Sequence, residues 1–169
     1  MGGDAAERGG SDGVMLHFAY GSNMHRAIMR RHAPDASPIG AAVLTDHRFI
    51  ITADGYASVE RALGQIVRGV LWRITPRDRV TLDGWENVAG KLYRAETLPV
   101  RHAGRLRLAL VYIARPRLEG LPKAGYMEIV VAAAREWKFP EPYIAGLERW
   151  LPERPAAAGT RKFGDIAWT

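Results

Sequence analysis

The stretch Phe18-Ala19-Tyr20-Gly21-Ser22-Asn23 decides how this chain of 169 residues is interpreted. The apolar run from Met15 to Tyr20 predicts a buried strand that ends at Gly21. Gly21 allows a tight or left-handed turn, and Ser22 or Asn23 is a preferred N-cap for a following helix. Free backbone N–H groups at such a helix start bind a carboxylate or stabilise an oxyanion. By spacing alone, an ordinary capped turn is the simpler explanation.

The remaining hydrophobic patterns predict a single α+β domain with around five strands. A helix is expected over 24–32, and extended segments are expected at 41–52, 66–74, 92–100 and 106–114. Thr75-Pro76-Arg77-Asp78 is typical of a helix start, and Gly84 is expected to interrupt that helix. An apolar stripe from Tyr126 predicts a further helix, and another is expected at 142–151. Helices grouped toward the end favour a mixed, curled sheet or barrel with flanking short helices.

Composition and charge favour one globular domain of 14–152, with a flexible N-terminal extension at 1–13 and a C-terminal tail at 153–169. Hydrophobic residues make up 47% of the chain and charged residues 25%. No apolar run approaches the roughly 20 residues that span a bilayer, and residues 1–13 lack the apolar centre of a signal peptide. We therefore expect a cytoplasmic protein without a membrane partner.

The formal net charge of +6 raises the question of an anionic partner such as nucleic acid. The basic residues are spread along the whole chain, however, and they do not alternate with aromatic residues as in single-strand binders. A solvated basic surface explains the charge, so no nucleic-acid partner is expected.

Residue types exclude several kinds of catalytic site. The chain has no cysteine, which removes disulfides, thiolate catalysis and cysteine-based metal sites. Its five histidines show no metal-ligand spacing, so we expect no metal. Ser22 lies outside any G-x-S-x-G motif and has no evident His and Asp partners, which disfavours a serine hydrolase.

Glu86 is a candidate general base, although the nearby acids Asp83 and Glu96 give no independent way to choose among them. It lies in Leu82-Asp83-Gly84-Trp85-Glu86-Asn87-Val88, where a helix ends before a strand begins. Apolar neighbours would partly desolvate the carboxyl group and raise its pKa toward that of a general base. An exposed loop glutamate is the competing interpretation, and the residues by themselves favour it.

Three tyrosines are interpreted as half-buried residues: Tyr93, Tyr112 and Tyr126. Each hydroxyl group is a candidate for a cavity, but a core tyrosine whose hydroxyl group is already hydrogen-bonded is the commoner case.

Taken in order, these segments resemble the gamma-glutamylcyclotransferase-like superfamily, of the gamma-glutamyl cyclotransferase or gamma-glutamylamine cyclotransferase type. Residues 18–24 are similar to its Y-G-S-N signature, and 67–74 are similar to its G-V-V/L-W strand. Residues 82–86 resemble its L-D-x-x-E segment, and Tyr126 resembles its late substrate-binding tyrosine. The resemblance covers about residues 15–151.

The resemblance implies a barrel-like fold with a cavity and a reaction that needs neither cofactor nor metal. In that reaction the α-amine of a gamma-glutamyl group attacks its own γ-carbonyl. The products are 5-oxoproline and a free amine or amino acid, as in glutathione metabolism, and the enzyme is a carbon–nitrogen lyase or acyltransferase. Glu86 is then the catalytic base. The implied substrate-binding residues are Phe18, Ala19, Tyr20, Gly21, Ser22, Asn23 and Tyr126.

Two residues depart from the family pattern, and they leave undetermined which gamma-glutamyl compound is the substrate. His17 stands where some members have an aromatic residue, and Asn87 stands where glycine is common. A non-catalytic module of the same fold that binds a small acid is the alternative function. A basic nucleic-acid accessory protein is a third.

Overall fold

The structure is a computed structural model that describes residues 15–115 and 118–153. A closed barrel of five strands forms its centre: β1 Met15–Ala19, β2 Ser37–Ile51, β3 Ala57–Ile74, β4 Tyr93–His102 and β5 Arg105–Ala114. The strands follow each other around the barrel in the order β1-β3-β2-β4-β5. The neighbouring strands are antiparallel except β1 and β5, which run parallel and close the barrel. The predicted α+β class with a curled sheet and short helices is confirmed.

Four short helices of the described residues flank the barrel: α1 Arg26–His32, α2 Pro76–Trp85, α3 Tyr126–Glu136 and α4 Glu141–Glu148. A 3-10 turn at Ser22–Met24 precedes α1. The prediction that Ser22 or Asn23 caps a helix is wrong, because neither the turn nor α1 has a side-chain cap. The Asn23 amide instead bonds to His32 and Glu86, so it is not free to cap.

The start of α2 follows the sequence prediction, whereas its end does not. The Thr75 hydroxyl accepts a hydrogen bond from the Asp78 amide at 3.1 Å, and the Asp78 carboxylate accepts one from the Thr75 amide at 2.9 Å. Gly84 does not interrupt the helix, which continues to Trp85. A glycine weakens an exposed helix by about 1 kcal/mol but leaves every backbone hydrogen bond in place. The Glu86 amide accordingly donates to the Leu82 carbonyl at 2.9 Å.

The hairpin of β2 and β3 is longer than the sequence pattern predicts. β3 has 18 residues and begins at Ala57 rather than near 66. Its first half has few β-branched residues, but residues 57–61 pair with β2, for example Val59 with Phe49, whereas residues 62–65 have no partner on that strand. A bulge at Asp46, whose φ is 57°, lets the Asp46 carboxylate accept a hydrogen bond from the Gly64 amide at 2.9 Å. The long hairpin carries the start of β3 to the end of the barrel where β1 finishes.

Helix α3 covers the same end of the barrel and holds the turn after β1. The Trp137 indole N–H donates to the Met24 carbonyl at 2.9 Å. The Arg26 guanidinium lies 4.1 Å from the centre of the Trp137 ring and 2.7 Å from the Glu136 carboxylate. The predicted apolar stripe of α3 is mostly buried, and two further residues, Met127 and Val131, are buried with it.

The predicted terminal segments lie almost entirely outside the residues that the structure describes. The extension at 1–13 and all but the first residue of the tail at 153–169 lie outside the described residues, so the domain limits stay predictions. Over 15–115 and 118–153, no helix has the length and apolarity needed to cross a bilayer. Within the same ranges, no three histidine or acidic side chains are arranged to hold a metal ion.

Replacing Asp78 tests how α2 is anchored. Its buried carboxylate accepts hydrogen bonds from the Asp35 amide and from both the amide and the hydroxyl of Thr75. We expect Asp78→Ala to lower the free energy of unfolding by about 3 kcal/mol, because it leaves these donors without their acceptor. Urea denaturation measures the change. Asp35→Ala is the control, since it removes only an exposed carboxylate, and a similar loss in both variants would contradict the explanation.

Candidate active site

A cavity of about 330 Å³ lies at the end of the barrel where β1 finishes. This volume is at the lower end of the range for small-molecule sites, about 300–1,000 Å³. The wall of the cavity is formed by β1 and the turn after it, by α1, the end of α2 and α3, and by β5 with the starts of β3 and β4. The structure brings all the sequence-predicted site residues together on this wall: Phe18, Ala19, Tyr20, Gly21, Ser22, Asn23, Glu86 and Tyr126.

The parallel contact between β1 and β5 forms the floor of the cavity. His17 pairs with Leu110, and the His17 Nδ1–H donates to the Leu110 carbonyl at 3.1 Å. The Tyr20 hydroxyl donates to the Tyr112 carbonyl at 2.5 Å, so its proton is already used to join the strands. Burial lowers the pKa of His17 to about 4, which keeps the ring neutral at neutral pH.

Glu86 sits at the C-terminal end of α2 with its carboxyl group at the cavity. The Asn23 side-chain N–H donates to Glu86 Oε1 at 3.2 Å. Burial raises the pKa of Glu86 to about 7, because desolvation disfavours the ionised carboxylate. A carboxyl group with this pKa exchanges protons readily near neutral pH. Its catalytic role stays a prediction.

Asn23 holds Glu86 through a chain of two hydrogen bonds. The His32 Nδ1 lies 2.9 Å from the Asn23 amide oxygen, which can only accept, so this nitrogen carries the proton. The amide nitrogen of Asn23 is thereby turned toward Glu86. The His32 ring stacks on Trp85 with centroids 4.0 Å apart, and burial lowers the pKa of His32 to about 4. The Asn23 side chain therefore positions an acid, beyond the substrate-binding role expected from the sequence.

The tyrosine hydroxyl groups on the wall differ in their hydrogen-bond partners. The Tyr93 hydroxyl donates to the Ala57 carbonyl at 2.8 Å, and the Tyr112 hydroxyl donates to the Asp83 carboxylate at 2.6 Å. The Tyr126 hydroxyl instead accepts from the Ala57 amide at 3.3 Å, and it also hydrogen-bonds to Ser22. Burial raises the pKa of Tyr126 to about 12, so the group stays protonated at neutral pH.

Gly21 is needed for space rather than for a left-handed turn. Its φ of −112° is negative, so the left-handed turn that the sequence allowed does not form. A Cβ atom on Gly21 would lie 2.7 Å from the Tyr126 hydroxyl oxygen and 3.2 Å from the Ala57 Cβ. The first amide bonded within the following turn is that of Met24, which donates to the Gly21 carbonyl at 3.0 Å. The amides of Ser22 and Asn23 precede it and make no bond inside the turn.

The departure at Asn87 has a structural explanation. Asn87 has a φ of 48°, in the left-handed region that asparagine tolerates better than most residues with a side chain. Its side-chain oxygen also accepts a hydrogen bond from the Gly90 amide at 3.0 Å. Asparagine can therefore form the turn that follows Glu86 without glycine.

Several cavity residues were not predicted from the sequence. Ile28, Arg31 and His32 lie on one face of α1, and their spacing of three and four residues was the available signal. Tyr56 and Ala57 lie where the sequence predicted no element, so nothing pointed to them.

Substituting Gly21 tests the close approach of Tyr126. We expect Gly21→Ala to lower the free energy of unfolding by about 2 kcal/mol, because the new methyl group overlaps the tyrosine hydroxyl. In a Tyr126→Phe background the loss should shrink by at least about 1 kcal/mol, as a double-mutant cycle in urea would measure. Gly84→Ala is the control, since open space surrounds that position and alanine favours the helix. An equal loss in both backgrounds would show that the hydroxyl is not the obstacle.

The buried carboxyl group of Glu86 predicts a stability that depends on pH. The pKa of Glu86 in the folded protein, about 7, exceeds its ordinary value of 4.5. The protonated carboxyl group therefore contributes its full share to the free energy of unfolding below pH 4.5, and this contribution is lost as the pH rises through 7. Glu86→Gln removes the ionisation. Its free energy of unfolding relative to wild type should therefore rise between pH 4.5 and 7, by roughly 3 kcal/mol in total.

Urea denaturation at several pH values measures this difference, with Glu96→Gln as the control because that side chain is 37% exposed. A difference for Glu86→Gln that does not change with pH would show that the carboxyl group is well solvated in the folded protein.

Comparisons with known proteins agree with this architecture. Residues 66–147 match the model of the AIG2-like family, a segment that contains β4, β5 and Glu86. None of the curated proteins matches the sequence.

Solved structures share the fold over most of the chain. A gamma-glutamyl cyclotransferase is 22% identical with a TM-score of 0.77, over 86% of this chain and 93% of that one. The uncharacterized human protein LOC79017 is 23% identical with a TM-score of 0.77, over 88% and 94% of the two chains. YkqA from Bacillus subtilis is 25% identical with a TM-score of 0.71, over 82% of this chain and 54% of that one. The AIG2-like match over residues 66–147 and the barrel shared with these structures show that the chain has the fold of a gamma-glutamyl cyclotransferase.

Proposed function

We propose that this protein is a gamma-glutamyl cyclotransferase that converts a gamma-glutamyl compound into 5-oxoproline and a free amine or amino acid. The observation that carries the proposal is the position of Glu86. Its carboxyl group, with a pKa of about 7, borders a small cavity beside the turn at 21–23. The gamma-glutamyl cyclotransferase with the same fold supports this reaction class.

The cavity offers the groups that an intramolecular ring closure needs. The substrate supplies its own nucleophile, so the protein has to hold the α-amine against the γ-carbonyl carbon in a reactive geometry. The amides at 21–23 bind the α-carboxylate or the developing oxyanion, since they precede the first bonded amide of the turn. Tyr126 remains protonated and hydrogen-bonds to Ser22 within the same site, which fixes its hydroxyl group beside the turn.

Glu86 moves the proton in the proposed reaction. As a carboxylate it takes a proton from the α-ammonium group, which frees the lone pair that attacks the γ-carbonyl carbon. The new carbon–nitrogen bond closes the ring, and the protonated Glu86 gives a proton to the leaving nitrogen as the old bond breaks. Overall the α-nitrogen loses two protons and the leaving nitrogen gains two, so no proton is consumed at neutral pH. Asn23 keeps the carboxyl group oriented throughout.

The central test is the activity of Glu86→Gln. We expect the release of 5-oxoproline from gamma-glutamyl substrates to fall by at least about 100-fold, because an amide cannot accept the ammonium proton. For the wild type, kcat/KM should decrease below about pH 7, where Glu86 becomes protonated. Glu96→Gln is the matched control, since Glu96 is not part of the cavity wall and should retain wild-type turnover.

Two outcomes would contradict the proposal. Turnover by Glu86→Gln at the wild-type rate would remove Glu86 from the mechanism. If the wild type bound gamma-glutamyl compounds but released no 5-oxoproline, the protein would be a non-catalytic module that binds a small acid. Calorimetric binding measured beside the activity assay distinguishes these results.

A further inference from the structure

Arg31 lies where the cavity meets solvent. It follows Ile28 by three residues on α1, and both side chains line the cavity. Arg31 is exposed, and so is Trp85, which forms the neighbouring part of the wall. We call this part of the wall, formed by Arg31 and Trp85, the mouth of the cavity.

The Arg31 guanidinium has no acidic partner among the residues that the structure describes. Other arginines do pair with acids, such as Arg26 with Glu136 at 2.7 Å and Arg79 with Asp83 at 2.8 Å. Arg31 takes part in none of the ion pairs found over 15–115 and 118–153. Its guanidinium is therefore available for an anion that enters the mouth.

The other ionisable groups on the wall do not supply a competing positive charge. His17 and His32 both have a pKa of about 4, so neither ring is cationic at neutral pH. Glu86 is the only acid on the wall described here, and it is about half protonated near pH 7. Arg31 thus carries the permanent positive charge of the cavity wall, at the end that faces solvent.

We propose that Arg31 binds a carboxylate on the leaving group, which makes gamma-glutamyl amino acids the preferred substrates over gamma-glutamyl amines. This inference rests on the proposed function, in which the glutamyl part occupies the inner wall near Glu86 and the turn at 21–23. The atoms beyond the breaking bond then extend toward the mouth. A leaving amino acid carries its carboxylate one carbon from the leaving nitrogen, whereas a simple amine has none. The planar guanidinium group matches a carboxylate with two parallel hydrogen bonds.

The test compares two substrates that differ only in this charge, γ-glutamyl-L-alanine and γ-glutamyl-L-alaninamide, on the full-length protein. We expect Arg31→Ala to lower kcat/KM for the acid by about fivefold, the size expected for a partly exposed ion pair. The amide should change by less than about twofold, because it lacks the negative charge that Arg31 would bind. Arg30→Ala is the matched control, since Arg30 is exposed on the same helix but does not line the cavity. It should leave both substrates unchanged.

An equal loss for both substrates would overturn the inference, because Arg31 would then act on the α-carboxylate or on the fold. No loss for the acid would also overturn it.

Binding measurements separate this inference from the proposed function. In a Glu86→Gln background, calorimetry compares the affinities for the acid and the amide with and without Arg31→Ala. If the wild type forms no 5-oxoproline, the proposed function fails. A selective loss of affinity for the acid would still support carboxylate binding by Arg31, and equal affinities would reject it.

Discussion

The cavity depends on the parallel contact between β1 and β5 that closes the barrel. Among the described residues, His17 and Leu110 form the one pair across it, in contrast to the long ladder between β2 and β3. Side chains reinforce this short contact, because the His17 ring donates to the Leu110 carbonyl and the Tyr20 hydroxyl donates to the Tyr112 carbonyl. The neutral His17 ring suits a buried position, since a charged one would lack a partner for Nε2 among the described residues. The turn at 21–23 begins directly beyond this contact.

Most of the hydroxyl groups near the cavity have fixed hydrogen-bond acceptors. Tyr20 and Tyr93 donate to backbone carbonyls of the barrel, and Tyr112 donates to the Asp83 carboxylate in α2. These tyrosines stabilise the wall, because a buried hydroxyl without a partner would cost about 1–3 kcal/mol. The capacity for proton transfer is therefore concentrated at the Glu86 carboxyl group, whose pKa is about 7. A site of this kind suits a reaction whose nucleophile comes with the substrate.

Sequence patterns predicted the structure correctly where it depends on residues that lie close together in the chain. The capping box at Thr75 and Asp78 was predictable because both hydrogen bonds lie within four residues of each other. The first half of β3 was not predictable, since residues 57–65 have weak strand propensity and only 57–61 pair with β2. The role of the Asn23 side chain in positioning Glu86 could not be predicted either, because it depends on His32 and on Glu86 itself, which is 63 residues away in the sequence. The site residues themselves came from the family resemblance, and the structure placed them together on one wall.

The difference between Gly21 and Asn87 shows why a motif alone does not define the physical constraint at a position. Both residues lie in turns beside the cavity, and a glycine in a turn is usually explained by its freedom to adopt a positive φ. At Gly21 the backbone φ is negative, and the constraint is the Tyr126 hydroxyl that occupies the space of a side chain. At Asn87 the φ is positive, and asparagine accepts it while its side chain bonds to Gly90. Substitution at Gly21 therefore disturbs a group that faces the cavity, whereas Asn87 preserves the position of Glu86 by completing the turn after it.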